Sequence, residues 1–331
     1  MALLCVVGSW AAQKDTLKVL AIGNSFSEDA IEQHLSPLAR AEGLNVIICN
    51  MYIGGCSIDR HVENLRGNKP EYRYRKFDVD GKLTEKWNHT LEAVLAEEDW
   101  DYVSLQQVSQ NSGIPESYVL LPELVDYVKA RVPEDAVLMF HQTWAYAPKS
   151  NHGGFVNYDR DQMKMYEAIV KTVNQEAPKV GIKLIIPCGT AIQNARTSSL
   201  GTDLTRDGFH LGYGLGRYAA ACVWYETLIK PFTHKTMLGN GLFVMKGDQY
   251  ADRYAAVYCE RAAVMVSKKP FDVRPIKSVY RLVSKPLTHV YIVMDTDRLA
   301  KDEEAYMKEV RPYIKRIFTS TIIDEVLNSN K

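Results

Sequence analysis

Short apolar segments alternate with longer amphipathic segments through most of this chain. The apolar runs that have the length of buried strands lie at 17–22, 45–50, 102–105, 136–140 and 182–186. Apolar residues between these runs recur at helical spacing, and a last helix is predicted from about 213 to 229. Strands separated by such helices pair in parallel through crossovers, which places helices on both faces of the sheet. The pattern therefore predicts an α/β fold, a three-layer α/β/α sandwich with a parallel sheet.

Two segments interrupt this alternation and a third follows it. Residues 59–89 are predicted to form an irregular or hairpin insertion, and 144–158 form a loop rich in Asn, Gly and aromatic residues. Beyond about residue 270 the pattern changes, with a strand predicted near 290–294 and a charged helix at 302–318. We therefore expect a main domain over 16–270 and a C-terminal extension over 271–331, to which no role is assigned.

The first 15 residues are similar to part of a secretory signal. A short apolar run is followed by small residues, as at the cleavage end of a signal peptide, but the basic n-region is missing. We therefore expect export to the periplasm or the outside of the cell, and a cytoplasmic location stays open. No later segment approaches the roughly 20 apolar residues of a membrane span, so none is expected.

Charge and composition exclude several classes of protein. The 331 residues include 40 Lys and Arg and 40 Asp and Glu, and this zero net charge argues against a general nucleic-acid binder. Six cysteines occur singly and eight histidines show no metal-ligand spacing, so neither a metal nor another cofactor is expected. The oligomeric state is left open.

A candidate nucleophile follows the first predicted strand, in the segment Gly23-Asn24-Ser25. A serine on a tight turn at the end of a strand has its hydroxyl and its backbone N–H directed into the crevice of an α/β fold. Taken alone, an Asn-Ser pair in this position is more often an ordinary turn or helix cap. The segment also differs from the Gly-x-Ser-x-Gly elbow.

Two further segments bring matching chemistry to the same region. Asp207 and His210 precede the last predicted helix, three residues apart, so an acid can orient an imidazole that accepts a serine proton. Gly54 and Gly55 follow the second strand, where a backbone without Cβ can bring an N–H to an oxyanion. Each segment alone is compatible with a simple turn. Their joint occurrence with Ser25 favours a catalytic site.

With these motifs the chain resembles the SGNH, or GDSL-type, serine hydrolase superfamily over roughly residues 17–230. The resemblance implies that Ser25 is the nucleophile, His210 the base and Asp207 the acid that orients it. It also implies an oxyanion hole that includes the N–H groups of Ser25 and Gly55, with Gly54 as an alternative to Gly55. The amino-acid sequences of these motifs are similar to those of a branch of the superfamily that is frequent among secreted proteins of polysaccharide-degrading bacteria.

The chain departs from the family pattern at two blocks. Asn24 replaces the usual aspartate before the nucleophile, and the Gly-x-Asn-Asp block after the third strand is absent. A glutamine N–H at about 2.7–3.1 Å from the oxyanion can replace the missing asparagine. Gln107 is the first choice for this third donor, and Gln106 or Gln110 are the alternatives.

Other polar and aromatic residues near the predicted strand ends are candidates for substrate binding. Trp144 follows the fourth strand and either stacks on a sugar face or packs on the core. Arg196 either binds polar substrate groups or pairs with a carboxylate. The full set of substrate-binding candidates is Asn24, Gln106, His141, Trp144, Asn194 and Arg196.

The resemblance and the loop composition together predict a serine esterase with a small-molecule or glycan ester as its substrate. Removal of small acyl groups, acetyl above all, from a carbohydrate is the preferred interpretation. A short-chain esterase or thioesterase acting on a small molecule is the alternative within the enzymes. A carbohydrate-binding protein without turnover is the alternative outside them, because the third block is altered.

Overall fold

The computed structural model describes residues 15–240, 242–244, 253–276 and 291–293. The strands are β1 (Thr16–Gly23), β2 (Asn45–Tyr52), β3 (Tyr72–Phe77), β4 (Leu83–His89), β5 (Tyr102–Leu105), β6 (Val137–His141), β7 (Leu184–Ile186), β8 (Leu242–Val244) and β9 (Tyr291–Val293). The α-helices are α1 (Ser25–Ser27), α2 (Leu35–Arg40), α3 (Ile58–Arg66), α4 (Leu91–Leu95), α5 (Leu121–Lys129), α6 (Gln162–Lys179), α7 (Cys188–Arg196), α8 (Leu215–Trp224), α9 (Lys230–Thr233) and α10 (Arg253–Val266). Shorter 3₁₀ and π-helical turns join them.

Seven strands form the main sheet, in the order β4-β3-β2-β1-β5-β6-β7. The five strands from β2 to β7 in this order pair in parallel, as the alternating pattern predicts. From β1 the chain first moves to β2 on one side and later to β5 on the other side. This reversal opens a crevice at the carboxyl ends of β1 and β5, where α/β proteins place their sites.

The insertion at 59–89 adopts the hairpin alternative, preceded by a helix. It contains α3 and an antiparallel hairpin, β3 and β4, that extends the main sheet beyond β2. Tyr72 and Tyr74 are buried in the core, while Arg73 and Arg75 point to the opposite face and pair with Glu85. This alternation is the period-two pattern of a strand. The sheet is therefore mixed, with an antiparallel edge.

The core lies on both faces of the parallel strands. Nearly every residue of β1 is buried, as are the facing sides of α5, α6 and α8. α10 packs against α7 and α8 and so adds to the same core. The described segment 271–276 also contacts this body, since the Tyr166 hydroxyl donates to the Phe271 carbonyl oxygen at 3.0 Å.

Several predictions fall partly or wholly outside the described residues. The signal-like segment is represented only by Asp15, and the charged helix at 302–318 is not among the described residues. The strand near 290–294 corresponds to β9, which pairs in parallel with β8. Within the described part of the chain, no helix has the length and apolar character needed to span a bilayer.

Candidate active site

Ser25 begins α1 directly after β1. The side chain of Asn24 caps this short helix, because its Oδ1 accepts a hydrogen bond from the Phe26 N–H at 3.0 Å. A Cβ on Gly23 would lie 2.5 Å from Ser27 Oγ, so the turn requires glycine there. As the first helical residue, Ser25 has a backbone N–H without an intrahelical acceptor. Its N–H and hydroxyl are therefore both available at the strand end.

The structure brings Ser25, His210 and Asp207 together. Ser25 Oγ lies 2.8 Å from His210 Nε2, and His210 Nδ1 lies 2.6 Å from Asp207 Oδ2. Asp207 Oδ1 also accepts the N–H groups of Phe209 and His210, at 3.1 and 2.8 Å. Burial opposes ionisation, but these bonds from His210 and the backbone leave the pKa of Asp207 below its ordinary value. An ionised Asp207 keeps the proton on Nδ1, so that Nε2 can accept the serine proton.

A buried carboxylate connects the nucleophile segment to the loop that carries His210. Asp29, just after α1, accepts hydrogen bonds from Arg206 Nη1 at 2.9 and 3.0 Å and from the Leu211 N–H at 2.8 Å. Arg217 lies 2.5 Å from the same carboxylate. Burial raises the pKa of Asp29 although both arginines oppose the shift. Sequence reasoning missed this residue, since an acidic residue next to apolar ones was its only signal.

Trp144 packs in the core against Phe26, where a sugar cannot contact its ring. The indole is fully buried and stacks on Phe26, with ring centres 4.2 Å apart and planes at 12°. Its Nε1 donates to the Phe209 carbonyl oxygen at 2.8 Å. The stacking prediction for Trp144 is therefore wrong. The alternative that we considered, packing on the core, describes its position.

Three further substrate-binding candidates form a hydrogen-bonded chain behind the nucleophile. His141 Nδ1 lies 2.9 Å from Gln106 Oε1, and Gln106 Nε2 donates to Asn24 Oδ1 at 2.7 Å. Asn24 Nδ2 donates to the Cys56 carbonyl oxygen at 3.0 Å. All three candidates are buried, and burial lowers the pKa of His141 to about 3. Gln106 and His141 therefore make supporting contacts instead of the predicted substrate contacts, whereas Asn24 supports the turn and also borders the cleft.

The structure also changes the assignment of the third oxyanion donor. Gln107 is fully buried, and its Nε2 donates to the Ser117 carbonyl oxygen and hydroxyl at 2.7 and 3.1 Å. Both amide hydrogens are used there, so the first choice, Gln107, is wrong. Gln110 borders the same cleft as Ser25, and no described residue accepts a hydrogen bond from its Nε2. Gly55 also borders this cleft, with a positive φ of 61°.

This chain is similar in sequence and structure to known proteins. A family model described as "Domain of unknown function (DUF4886)" matches residues 18–254. The chain belongs to the DUF4886 family. A crystal structure of a DUF4886 family protein from Bacteroides uniformis ATCC 8492 is 50% identical, with a TM-score of 0.74, and the match covers 79% of this chain and 98% of that one. No curated protein matches the chain.

Two more distant structures show weaker likeness to this DUF4886 protein. An acetylxylan esterase from Geobacillus stearothermophilus is 13% identical, with a TM-score of 0.41 over 65% of this chain and 94% of that one. An alpha/beta hydrolase enzyme from the metagenome of Lake Arreo, Spain, is 13% identical, with a TM-score of 0.38 over 66% of this chain and 95% of that one. At these scores neither likeness bears on the activity.

Asn194 and Arg196 of the DUF4886 chain lie on α7, buried and apart from the cleft. Asn194 Oδ1 accepts the Arg274 N–H at 2.7 Å, and Arg196 Nη1 donates to the Ala145 carbonyl oxygen at 3.0 Å. Burial lowers the pKa of Arg196 to about 10. The prediction that these two residues bind substrate is wrong, because α7 directs them into the packed body and not towards Ser25.

The cleft of this DUF4886 protein has a volume of about 210 Å³. Its walls are formed by Asn24, Ser25, Phe26, Tyr52, Gly54, Gly55, Val108, Ser109, Gln110, His152, Phe209 and His210. A larger cavity of about 500 Å³, at the amino ends of β6 and β7, contains none of the candidate residues. Among the described residues, no cluster of His, Cys, Asp and Glu could hold a metal ion.

Sequence reasoning missed the wall residues Tyr52, His152 and Phe209. Tyr52 ends β2, Phe209 lies between Asp207 and His210, and His152 lies in the loop after β6. The available signals were the positions of Tyr52 and His152 at or after the ends of strands that meet at one edge, and the position of Phe209 between Asp207 and His210.

Proposed function

We propose that this DUF4886 protein is a serine esterase of the SGNH type that removes short acyl groups, acetyl above all, from a carbohydrate. The observation that supports this proposal is the chain of hydrogen bonds from Ser25 Oγ through the His210 ring to Asp207 Oδ2, at the wall of a cleft. Nucleophile, base and orienting acid are then in the order that acyl transfer requires.

In the first half of the reaction, His210 Nε2 takes the proton of the Ser25 hydroxyl while Oγ forms a bond to the ester carbonyl carbon. The carbonyl oxygen becomes an oxyanion as the carbon becomes tetrahedral. The carbon–oxygen bond to the alcohol then breaks, and His210 gives its proton to the departing alcohol oxygen. Asp207 stabilises the imidazolium that exists between these two transfers.

The oxyanion is stabilised by the N–H groups of Ser25 and Gly55 and by the amide of Gln110. Ser25 presents its N–H as the first residue of α1, and Gly55 is held in the left-handed region beside it. Gln110 replaces Gln107 in this role, because Gln107 donates both of its amide hydrogens to Ser117. Removal of one such donor in other enzymes costs about 10²–10³-fold in kcat.

In the second half, water replaces the alcohol and attacks the acyl carbon of the ester formed on Ser25. His210 accepts a proton from that water, and the bond between the acyl carbon and Oγ breaks. His210 returns the proton to Oγ, and a free carboxylic acid leaves. The balance is one water consumed for one acid and one alcohol released. No step requires an oxidant, a reductant or a cofactor.

The size of the cleft supports a short acyl group. Sites for drug-sized ligands measure about 300–1,000 Å³, whereas this cleft measures about 210 Å³. Phe26 and Val108 form an apolar part of the cleft wall, and the partly buried Ser25 lines the same cleft. An acetyl group fits such a volume together with part of a sugar ring.

The proposal is tested by the release of p-nitrophenol from p-nitrophenyl acetate, butyrate and octanoate, and by acetate release from acetylated polysaccharides. We expect the acetate ester to give the highest kcat/KM. Ser25→Ala and His210→Ala should each lower kcat by several orders of magnitude.

Ser27→Ala is the matched control, because Ser27 lies in the same turn but bonds to Asn24 and Asn50 instead of His210. This variant should remain within about tenfold of the wild type. Equal activity of wild type and Ser25→Ala would contradict the proposed chemistry. Binding of glycans by all variants, without turnover of any ester, would favour a carbohydrate-binding protein.

A further inference from the structure

His152 is a titratable cleft residue that the chemistry above does not use. It lies in the loop after β6 and borders the same cleft as Ser25 and His210. Its ring is held between two aromatic rings, Tyr146 and Phe209, whose centres are both 4.8 Å away. The position of the imidazole is therefore determined by packing.

The hydrogen bonding of His152 determines which of its nitrogens carries the proton. The backbone N–H of Gly154 donates to Nδ1 at 3.1 Å, so Nδ1 is the acceptor. Burial and the neighbouring His210 both lower the pKa of His152, which keeps the ring neutral, although Asp207 acts in the opposite direction. The proton of a neutral imidazole whose Nδ1 accepts lies on Nε2. No residue that the structure describes accepts a hydrogen bond from this Nε2–H.

The direction of proton transfer identifies the part of the substrate that His152 faces. His210 must protonate the alcohol oxygen, so the alcohol lies on the His210 side of Ser25. The centre of the Phe209 ring is 4.1 Å from the centre of the His210 ring and 4.8 Å from the centre of the His152 ring. His152 therefore lies on the His210 side of the cleft, which receives the alcohol.

We propose that His152 is a specificity residue whose Nε2–H donates a hydrogen bond to a free hydroxyl on the carbon next to the ester. The preferred substrates are then monoesters of vicinal diols, the arrangement in a partly acylated sugar ring, instead of esters of simple alcohols. This inference rests on the proposed esterase function and names the alcohol that the site selects.

The test compares kcat/KM for 2-hydroxyethyl acetate and ethyl acetate, measured as acetate release by the full chain. The quantity of interest is the ratio of the two values in each protein. The intrinsic reactivities of the esters are the same for every variant, so they cancel when ratios are compared. We expect the wild-type ratio to exceed that of His152→Asn by about tenfold, the effect of one hydrogen bond in a partly buried site.

Two variants form a matched pair. In His152→Asn, the side-chain oxygen can replace Nδ1 as the acceptor for the Gly154 N–H, but the distal donor is lost. In His152→Gln, the amide nitrogen reaches the position of Nε2, so we expect the ratio to stay within about threefold of the wild type. Circular dichroism and the thermal midpoint establish that both variants are folded.

The outcomes separate this inference from the function on which it rests. An equal ratio in wild type and His152→Asn, or a loss of the same factor on both esters, would overturn the role of His152 in specificity. Hydrolysis of neither ester by the wild type would refute the esterase function and, with it, the inference. A lower ratio in His152→Asn together with retention in His152→Gln supports the inference.

Discussion

Replacement of Asn24 by aspartate tests how the turn that carries Ser25 is connected to the segment 54–56. Asn24 is 1% exposed, and its Oδ1 accepts hydrogen bonds from Phe26 and Gln106. Its Nδ2 donates to the carbonyl oxygen of Cys56, the residue after Gly55, at 3.0 Å. An ionised carboxylate can still accept the first two bonds, but it cannot donate the third. Asn24→Asp therefore places an anionic oxygen against a carbonyl oxygen.

The magnitude follows from the loss of this one buried bond. A buried polar group left without its partner costs about 1–3 kcal/mol, and more when a charge is involved. We expect Asn24→Asp to lower the free energy of unfolding by about this amount at pH 8. Separation of the Gly55 and Ser25 segments by as much as 1 Å would lower kcat/KM by about 10²-fold.

The pH dependence of the variant has a definite sign. Burial and the Cys56 carbonyl favour the neutral carboxylic acid, which raises the folded-state pKa of the introduced aspartate above the unfolded value of about 3.9. The protonated form of this side chain can again donate to Cys56. Protonation therefore restores the unfolding free energy at and below about pH 4. This gain is lost as the pH rises through the raised folded-state pKa of the aspartate.

The assay is urea unfolding followed by tryptophan fluorescence, at pH 4.5 and pH 8, for wild type, Asn24→Asp and Asn24→Ala. The difference in unfolding free energy between Asn24→Asp and wild type should be larger at pH 8. Asn24→Ala, which removes all three bonds of this side chain without adding a charge, should differ from wild type by the same amount at both pH values. An aspartate variant as stable as wild type at pH 8 would refute the reasoning.

Three further predictions concern other contacts of the site. Gln110→Ala should lower kcat by about 10²–10³-fold with little change in stability. Gln107→Ala should mainly lower the free energy of unfolding, by about 1–3 kcal/mol. An equal effect of the two variants on kcat would contradict Gln110 as the third oxyanion donor. Asp29→Asn leaves two arginines facing a neutral amide and should destabilise by about 3–5 kcal/mol, seen as a lower thermal midpoint. An unchanged midpoint would contradict a stabilising role for the ion pairs of Asp29 with the two arginines. Gly55→Ala meets no atom within 4 Å but must adopt a φ of 61°, so urea unfolding should show a cost of about 1–2 kcal/mol.

Much of the fold is predictable because it depends on hydrophobic patterns that are local in the chain. Each apolar run identified as a strand corresponds to a strand whose ends lie within two residues of those predicted. The exception is the position of the antiparallel hairpin in the sheet. Its pairing with β2 depends on the approach of a distant segment, although the alternation of Tyr72 to Arg75 has the period of a strand.

The candidate site likewise contains some residues that could be selected from the sequence and others that could not. Ser25, Asp207 and His210 can be selected from the sequence because their motifs occur together, in the order that resembles the SGNH pattern. Their catalytic roles stay predictions until the variants are measured. The roles of the amide and aromatic residues could not be selected in this manner, since Gln107 and Gln110 are chemically identical and only three residues apart.

The sequence by itself therefore determined the layers of the fold and selected Ser25, Asp207 and His210 as the candidate catalytic residues. Only the tertiary structure decided that Gln107 bonds to Ser117, that Trp144 packs beneath Phe26 and that Asp29 joins two segments 177 residues apart in the chain. The physical reason is that hydrophobic periodicity is encoded locally. The direction of a side chain after a strand end depends instead on which distant donors, acceptors and rings the fold places beside it.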